Sequence, residues 1–255
     1  MRIAVISDIH ANVFALKKAL NIITKSSVDK VIFLGDLLTY GCDVNQTIEA
    51  LQMFSYKKQT VFIKGNHDQI YFDMQNKKEF QYKPFPDFIL ESVWHTYNEM
   101  DCKLIDVFDW KDSTIIENIY FSHANALGYG NWCYLNTDDE IYQTSKIILN
   151  DDLSGGVFGH THRNKYSDVS LYELNHMEKN INNSYIQTGK CFITNPGSIG
   201  QPRGNTPSFL LMDIMSEKVR TELVYFEYED VKHIESINKS TLSIKTKNKL
   251  ISYFK

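Results

Sequence analysis

The chain has 255 residues, of which 43% are hydrophobic and 23% charged, with a formal net charge of −4. These values exclude a disordered, collagen-like or coiled-coil chain, and the acidic balance gives no general attraction to nucleic acid or anionic membranes. No apolar run approaches the ~20 residues of a membrane span, and Asp8 comes too early for a signal peptide.

Ile3-Ala4-Val5-Ile6 is a short apolar run rich in β-branched residues and reads as a buried strand. Asn12 is placed to cap a helix with Val13, Leu16, Leu20 and Ile23 at helical spacing. Val31–Leu34 reads as a second strand. Val44, Ile48, Leu51 and Phe54 mark a second helix, and Thr60–Ile63 a third strand. Strands alternating with helices predict right-handed crossovers and a largely parallel sheet. From Ile70 to about Trp110 the chain is dense in aromatics and interrupted by Pro84 and Pro86. This stretch, 70–110, reads as a cap-like insertion over one end of the sheet, with a helix through Phe88, Val93, Trp94 and Tyr97.

Ile115–Phe121 then reads as one strand, Asp138–Leu149 as a helix and Gly156–Phe158 as a short strand. Asn175–Ser184, with four asparagines, reads as an exposed loop. Cys191–Thr194, Phe209–Ile214 and Val219–Phe226 read as closing strands, and the segment from about Glu229 is polar with Ile and Leu at helical intervals. No repeat or linker divides the chain, so a single domain over 1–255 is expected. Cys42, Cys102, Cys133 and Cys191 form no CxxC pair. Inert thiols in a reducing cytoplasm are the expected reading.

Chemistry-bearing residues collect after the predicted strands. Asp8 and His10 follow the first, Asp36 the second, and Asn66, His67 and Asp68 the third. His123 and the pair His160 and His162 follow later ones. Strand C-terminal ends in an open parallel sheet face one crevice, so these side chains are expected to converge. Each alone has an ordinary reading as a cap, turn or core residue. Together they would need five coincidences, all at strand ends. Carboxylate, amide oxygen and imidazole suit Mn, Fe, Zn or Ni, are too nitrogen-rich for calcium, and lack the thiolates of structural zinc. Seven ligands are too many for one ion and suit two that share a carboxylate.

The motifs resemble those of the calcineurin-like metallophosphoesterase superfamily. They are Asp8-Ile9-His10, Gly35-Asp36-Leu37-Leu38-Thr39-Tyr40-Gly41, Gly65-Asn66-His67-Asp68, His123 and Gly159-His160-Thr161-His162. Asn195-Pro196-Gly197-Ser198-Ile199-Gly200-Gln201-Pro202-Arg203 resembles the NPGSxGQPR signature of a bacterial and archaeal subgroup. The resemblance implies an α/β fold, a four-layer α/β/β/α sandwich, here with the aromatic-rich cap. It implies two divalent cations, Mn first and Fe, Zn or Ni as alternatives. Asp8, His10 and His162 would hold the first, Asn66, His123 and His160 the second, and Asp36 would bridge them. A metal-bridging hydroxide would attack phosphorus in line. His67 would act near the leaving oxygen as acid or charge stabiliser. Asp68 would orient that ring or cap a turn. Arg203 would clamp phosphate. Asn12 would face the substrate or simply cap its helix.

Within that family the expected substrate is a small phosphorylated molecule. Nucleotide-type phosphodiesters or phosphoanhydrides such as dinucleoside polyphosphates come first, with protein Ser/Thr or general phosphomonoesters as the alternative. A non-catalytic scaffold on the same fold is the alternative of another class. Such proteins tend to lose ligands, and none is missing here. The protein Ser/Thr phosphatase box GDxVDRG has its second Asp and its Arg replaced by Thr39 and Tyr40. The resemblance therefore implies that the partner orienting the catalytic histidine, and a phosphate-binding arginine, are absent. Tyr71, Phe72, Phe80, Tyr82, Phe85, Phe88, Trp94 and Tyr97 could stack a nucleobase, but a core for the cap is the preferred reading.

Overall fold

The computed structural model describes residues 1–79, 85–170, 173–204 and 206–254. In chain order, β1 (Arg2–Ile6), α1 (Val13–Lys25), β2 (Lys30–Phe33), α2 (Val44–Ser55), β3 (Thr60–Ile63), α3 (Asn66–Gln75), α4 (Asp87–Glu99) and β4 (Trp110–Lys111) form the first half. The second half holds β5 (Ser113–Ile116), β6 (Ile119–Ser122), α5 (Asp138–Asn150), β7 (Gly155–Phe158), β8 (Asn164–Ser170), β9 (Leu174–His176) and β10 (Ile181–Tyr185). It closes with β11 (Lys190–Pro196), β12 (Ser208–Ile214), β13 (Lys218–Tyr225), α6 (Asp230–Lys239) and α7 (Ile244–Ile251).

The strands make two sheets, ordered β10-β13-β12-β1-β2-β3-β4 and β5-β6-β7-β11-β8-β9. β1 to β4 run parallel, joined through helices as the alternation predicts, while β12 pairs antiparallel to β1. The period-2 alternation of each central strand distributes its side chains to two cores. Ala4, Ile6, Val31 and Phe33 face the helical layer with Leu16, Ile48 and Tyr71. Ile3, Val5 and Ile32 meet Phe121, Val157 and Phe192 of the other sheet. On that sheet's outer face, Phe158 and Ile193 pack with Ile141 and Ile148 of α5. The result is helices, sheet, sheet, helix, the four layers expected. Among the described residues no helix is long and apolar enough to cross a membrane.

Several local expectations change. Ile115–Phe121 is not one strand but the hairpin β5–β6, because Glu117 and Asn118 take left-handed turn conformations (φ 47° and 62°). Asn175–Ser184 is not simply a loop. It contributes to β9 and β10, each pairing at a sheet edge where an exposed face needs no apolar alternation. β8 has a polar sequence and gave no periodic signal, yet it pairs along its whole length with β11. The aromatic stretch begins inside α3. Its Tyr71 and Phe72 are buried in the helical-side core, with Phe85 and Tyr97 packed against it. Phe88 packs beside Tyr40, and Trp94 lies exposed on α4. Phe80, Tyr82 and Pro84 lie outside the described residues.

Candidate metal centre

Loops at the C-terminal ends of β1, β2, β3, β6 and β7 meet where the two sheets face each other. The convergence therefore draws on both sheets rather than on a single one. The turns are tight. Asp8, His10, Asp36, His160 and His162 all have left-handed backbones, with φ between 49° and 66°. For residues with a Cβ this costs of order 1 kcal/mol or more each, and it persists only where the surroundings enforce it. One such enforcement is steric: a Cβ on Gly65 would collide with the Asp36 carboxylate.

Asp8, His10, Asp36, Asn66, His123, His160 and His162 are all 5% exposed or less. Ligand atoms of Asp8, His10, Asp36 and His162 lie within 4.8 Å of one another, as do those of Asp36, His123 and His160. Asn66 Oδ1 joins the second group, 2.9 Å from His123 Nε2. Asp36 belongs to both groups.

Backbone carbonyls set the direction of every imidazole. His10 Nδ1 donates to Leu38 O at 3.0 Å, His123 Nδ1 to Leu34 O at 2.7 Å and His162 Nδ1 to Gln201 O at 2.7 Å. His160 is turned over, with Nε2 donating to Trp132 O at 2.9 Å. A neutral ring held this way keeps its proton on the outer nitrogen and turns a bare lone pair inward, the form a cation requires. His10 Nε2 and His162 Nε2 face each other at 3.0 Å, and His123 Nε2 and His160 Nδ1 at 3.2 Å. Two bare lone pairs at that distance repel unless positive charge sits between them. The donor set therefore fits divalent cations of the Mn, Fe, Zn and Ni type.

The electrostatics agree. Burial alone would raise Asp8, but His162 and His123 hold its carboxyl below the usual carboxylate range. Burial likewise opposes, and His123 and His67 outweigh it, in holding Asp36 well down. Burial and the neighbouring His162 depress His10 well below the ordinary imidazole value. Burial, aided by His123, brings His160 down to about 3. These groups stand as carboxylates and neutral imidazoles, the protonation states a cation requires. His123 goes the other way: burial is overcome by Asp36, which draws positive charge to it and raises it to about 9.

His67 stands beside this cluster. Its ring lies edge-on to His10, with centroids 5.3 Å apart, and burial pushes its pKa down to about 4. Its partner is not Asp68. Asp68 is fully buried and turns back to accept from Gly65 N and Asp36 N at 2.8 Å and Leu37 N at 3.0 Å. Of the two readings, orienting the His67 ring or capping a turn, the contacts are those of the cap. Its carboxylate instead ties the Asp36 turn to the start of α3. Burial, then the charge of Asp36, raises it to about 7 against those three N–H donors.

The neighbour His67 does have is Tyr40, whose hydroxyl is 3.3 Å from His67 Nε2. Nothing in the motif spacing announced this contact. Asn12 is also reassigned. Its Oδ1 caps α1 at Ala15 N, and its Nδ2 donates to Gly200 O and Tyr228 OH, so its amide serves the fold. Arg203 is half-buried beside Tyr134. The nearby Tyr134, Tyr40 and Asp8 outweigh burial and hold the guanidinium above its ordinary value. Tyr134 lies flat on His160, with centroids 4.3 Å apart and planes at 9°. Arg203 therefore borders the centre, and Tyr134 is a bordering aromatic outside the 70–110 stretch.

The segment from Asn195 to Arg203 braces the metal loops. Ser198 Oγ and Gly200 N both donate to Asp8 O, at 2.7 and 2.9 Å. Asn195 Nδ2 holds Gly159 O and Thr161 Oγ1. A Cβ on Gly200 would collide with Ile9 O, so the close approach needs glycine.

Comparison with known proteins follows the same lines. The profile of the calcineurin-like phosphoesterase superfamily domain matches residues 1–217. An uncharacterised protein of Methanocaldococcus jannaschii is 30% identical over 249 residues, which cover 94% of this chain and 93% of that one. In fold the chain is similar to a metallophosphoesterase from Sphaerobacter thermophilus, with TM-score 0.74 and 21% identity over 99% of this chain and 100% of that one. It is equally similar to a hypothetical protein from Pyrococcus horikoshii, with TM-score 0.74 and 17% identity over 98% and 97% of the two chains.

Proposed function

The chain belongs to the calcineurin-like phosphoesterase superfamily, and from that premise we propose that it is a two-metal phosphoester hydrolase. The proposed substrates are nucleotide-type phosphodiesters or phosphoanhydrides, dinucleoside polyphosphates among them. One observation carries the reading: four buried imidazoles, each held from behind by a backbone carbonyl, turn their second nitrogens inward around the shared Asp36 carboxylate. Asp8, His10, Asp36 and His162 would hold one divalent cation, and Asp36, Asn66, His123 and His160 the other, with Mn as the first choice. Such ions, when bound, activate water and neutralise charge on a phosphoryl group.

The chain's own residues supply the rest. Arg203 offers paired N–H donors to phosphate oxygens. Tyr134, half-exposed on His160 and close to Arg203, offers a flat face beside that clamp and supports the preference for an aromatic or nucleotide group. His67 is a neutral N–H donor in its buried position, suited to stabilising the leaving oxygen as charge builds there. A cytoplasmic setting is proposed from four unpaired thiols.

The test is turnover by purified, Mn-loaded protein on dinucleoside polyphosphates, cyclic nucleotides, mononucleotides and phosphopeptides. Metal-dependent cleavage that favours the dinucleotides is expected. Preference for phosphopeptides would overturn the substrate class, and no turnover of any of them with metal bound would overturn the enzymatic reading.

A further inference from the structure

The phosphatase box suggests that His67 has lost its orienting partner, since Thr39 and Tyr40 stand where an acid and an arginine would. The geometry points to a replacement. We infer that Tyr40 is a positioning residue that fixes His67 in the Nδ1–H form and so presents that proton to the substrate's leaving oxygen.

Tyr40 is 6% exposed, and among the described residues its hydroxyl has one hydrogen-bond neighbour, His67 Nε2 at 3.3 Å. A phenol keeps its proton at neutral pH. That proton needs an acceptor. The nearby Arg203 guanidinium has none to offer, and His67 Nε2 does. Nε2 is then the bare nitrogen and Nδ1 carries the hydrogen. His67 Nδ1 is buried and, among the described residues, has no hydrogen-bond partner. A buried donor left open beside a cation-binding cluster is a position for a ligand atom.

Tyr40 is held so that it can do this. Its backbone is left-handed (φ 67°), and its N–H donates to Ser92 Oγ of α4 at 2.7 Å. The preceding Thr39 bonds Tyr71 OH of α3 at 2.6 Å. The ring packs with Ile237, Leu242 and Leu250 from the α6–α7 region. Its other neighbours are the His10 and His67 rings, at 4.7 and 5.1 Å between centroids. The C-terminal helices, which lie beyond the 1–217 span shared with the superfamily, therefore press the tyrosine onto the histidine.

The assignment rests on the hydrolase reading for its catalytic consequence but not for the hydrogen bond, and the test separates the two. The bond is read from the long-range proton–nitrogen-15 spectrum of the His67 imidazole in the Zn-loaded, diamagnetic protein. The Nδ1–H form is expected in the wild type, and its dominance should be lost in Tyr40→Phe, which keeps the ring packing. An Nε2–H form in the wild type would overturn the inference without any variant. An unchanged tautomer in Tyr40→Phe would overturn it too.

The consequence is read with aryl phosphodiesters of graded leaving-group pKa. Tyr40→Phe should lower kcat roughly tenfold or more for poor leaving groups, with KM and bound metal unchanged, and the loss should vanish for the best leaving group. A uniform loss across the series would show a merely structural role and overturn the positioning assignment. A wild type with the expected tautomer that cleaves none of the esters would sink the hydrolase reading while leaving the hydrogen bond in place.

Discussion

The metal centre and the cavity at the opposite end of the second sheet both gather polar side chains, yet they treat them differently. The cavity is lined by Ser154, Asp168, Ser184, Lys190 and Cys191, at the N-terminal ends of β7 and β11. There the polar atoms satisfy one another: Asp168 Oδ1 accepts from Ser184 Oγ at 2.8 Å and from Tyr166 OH at 3.3 Å. At the candidate metal centre, carbonyls occupy the outer imidazole nitrogens and turn the inner ones toward one another and the Asp8 and Asp36 carboxylates. Buried polar groups that complete one another build a fold. Groups held by their backs and left open in front are built for something else.

The sharpest break of this comparison is Asp36→Asn set beside Asp168→Asn. The first removes a carboxylate shared by both ligand groups and is expected to abolish metal binding and lower turnover at least about a thousandfold. The second should leave turnover intact and cost about 1 kcal/mol of stability. Metal content and melting curves check both. His67→Gln comes next: it should keep both ions and reduce kcat about a hundredfold. Arg203→Ala should act mainly through KM, raising it roughly tenfold, because it removes a phosphate contact and no ligand.

The smallest expected effect lies away from either cluster. Glu91 on α4 accepts from Ser243 N, Ser243 Oγ and Thr246 Oγ1 at the start of α7. Burial opposes slightly, and these bonds from Thr246 and Ser243 hold its carboxyl below the ordinary value. A carboxyl with a depressed folded pKa stabilises fully above its unfolded pKa of about 4.3 and loses that contribution as pH falls below it. Glu91→Gln should thus lower the unfolding free energy slightly at pH 7, by roughly 0.5 kcal/mol or less after solvent screening, and the gap to wild type should close on acidification.

The convergence of the candidate ligands was legible because their chemistry is rare and their places are regular. A carboxylate or imidazole just past a β-branched run is unusual, and five of them in one chain are more so. Their orientation was not legible. It comes from the carbonyls of Leu34, Leu38, Trp132 and Gln201, which any residue could supply. Asp68 misled because adjacency in sequence is not adjacency of side chains. On the first turn of α3 it points back to the backbone of Asp36 rather than to the next-door ring. Tyr40 was visible only as the loss of an arginine, since its contact with His67 depends on a left-handed turn and on helices almost 200 residues later. The central strands were plain because both faces are buried, whereas β8, β9 and β10 are polar or peripheral and needed their partners to define them.

The most direct measurement is anomalous scattering from crystals of Mn-loaded protein, collected on both sides of the Mn absorption edge. Two peaks are expected, one enclosed by Asp8, His10, Asp36 and His162, the other by Asp36, Asn66, His123 and His160. A protein that retains no transition ion, or carries one elsewhere with these side chains hydrogen-bonded only to each other, would contradict the account.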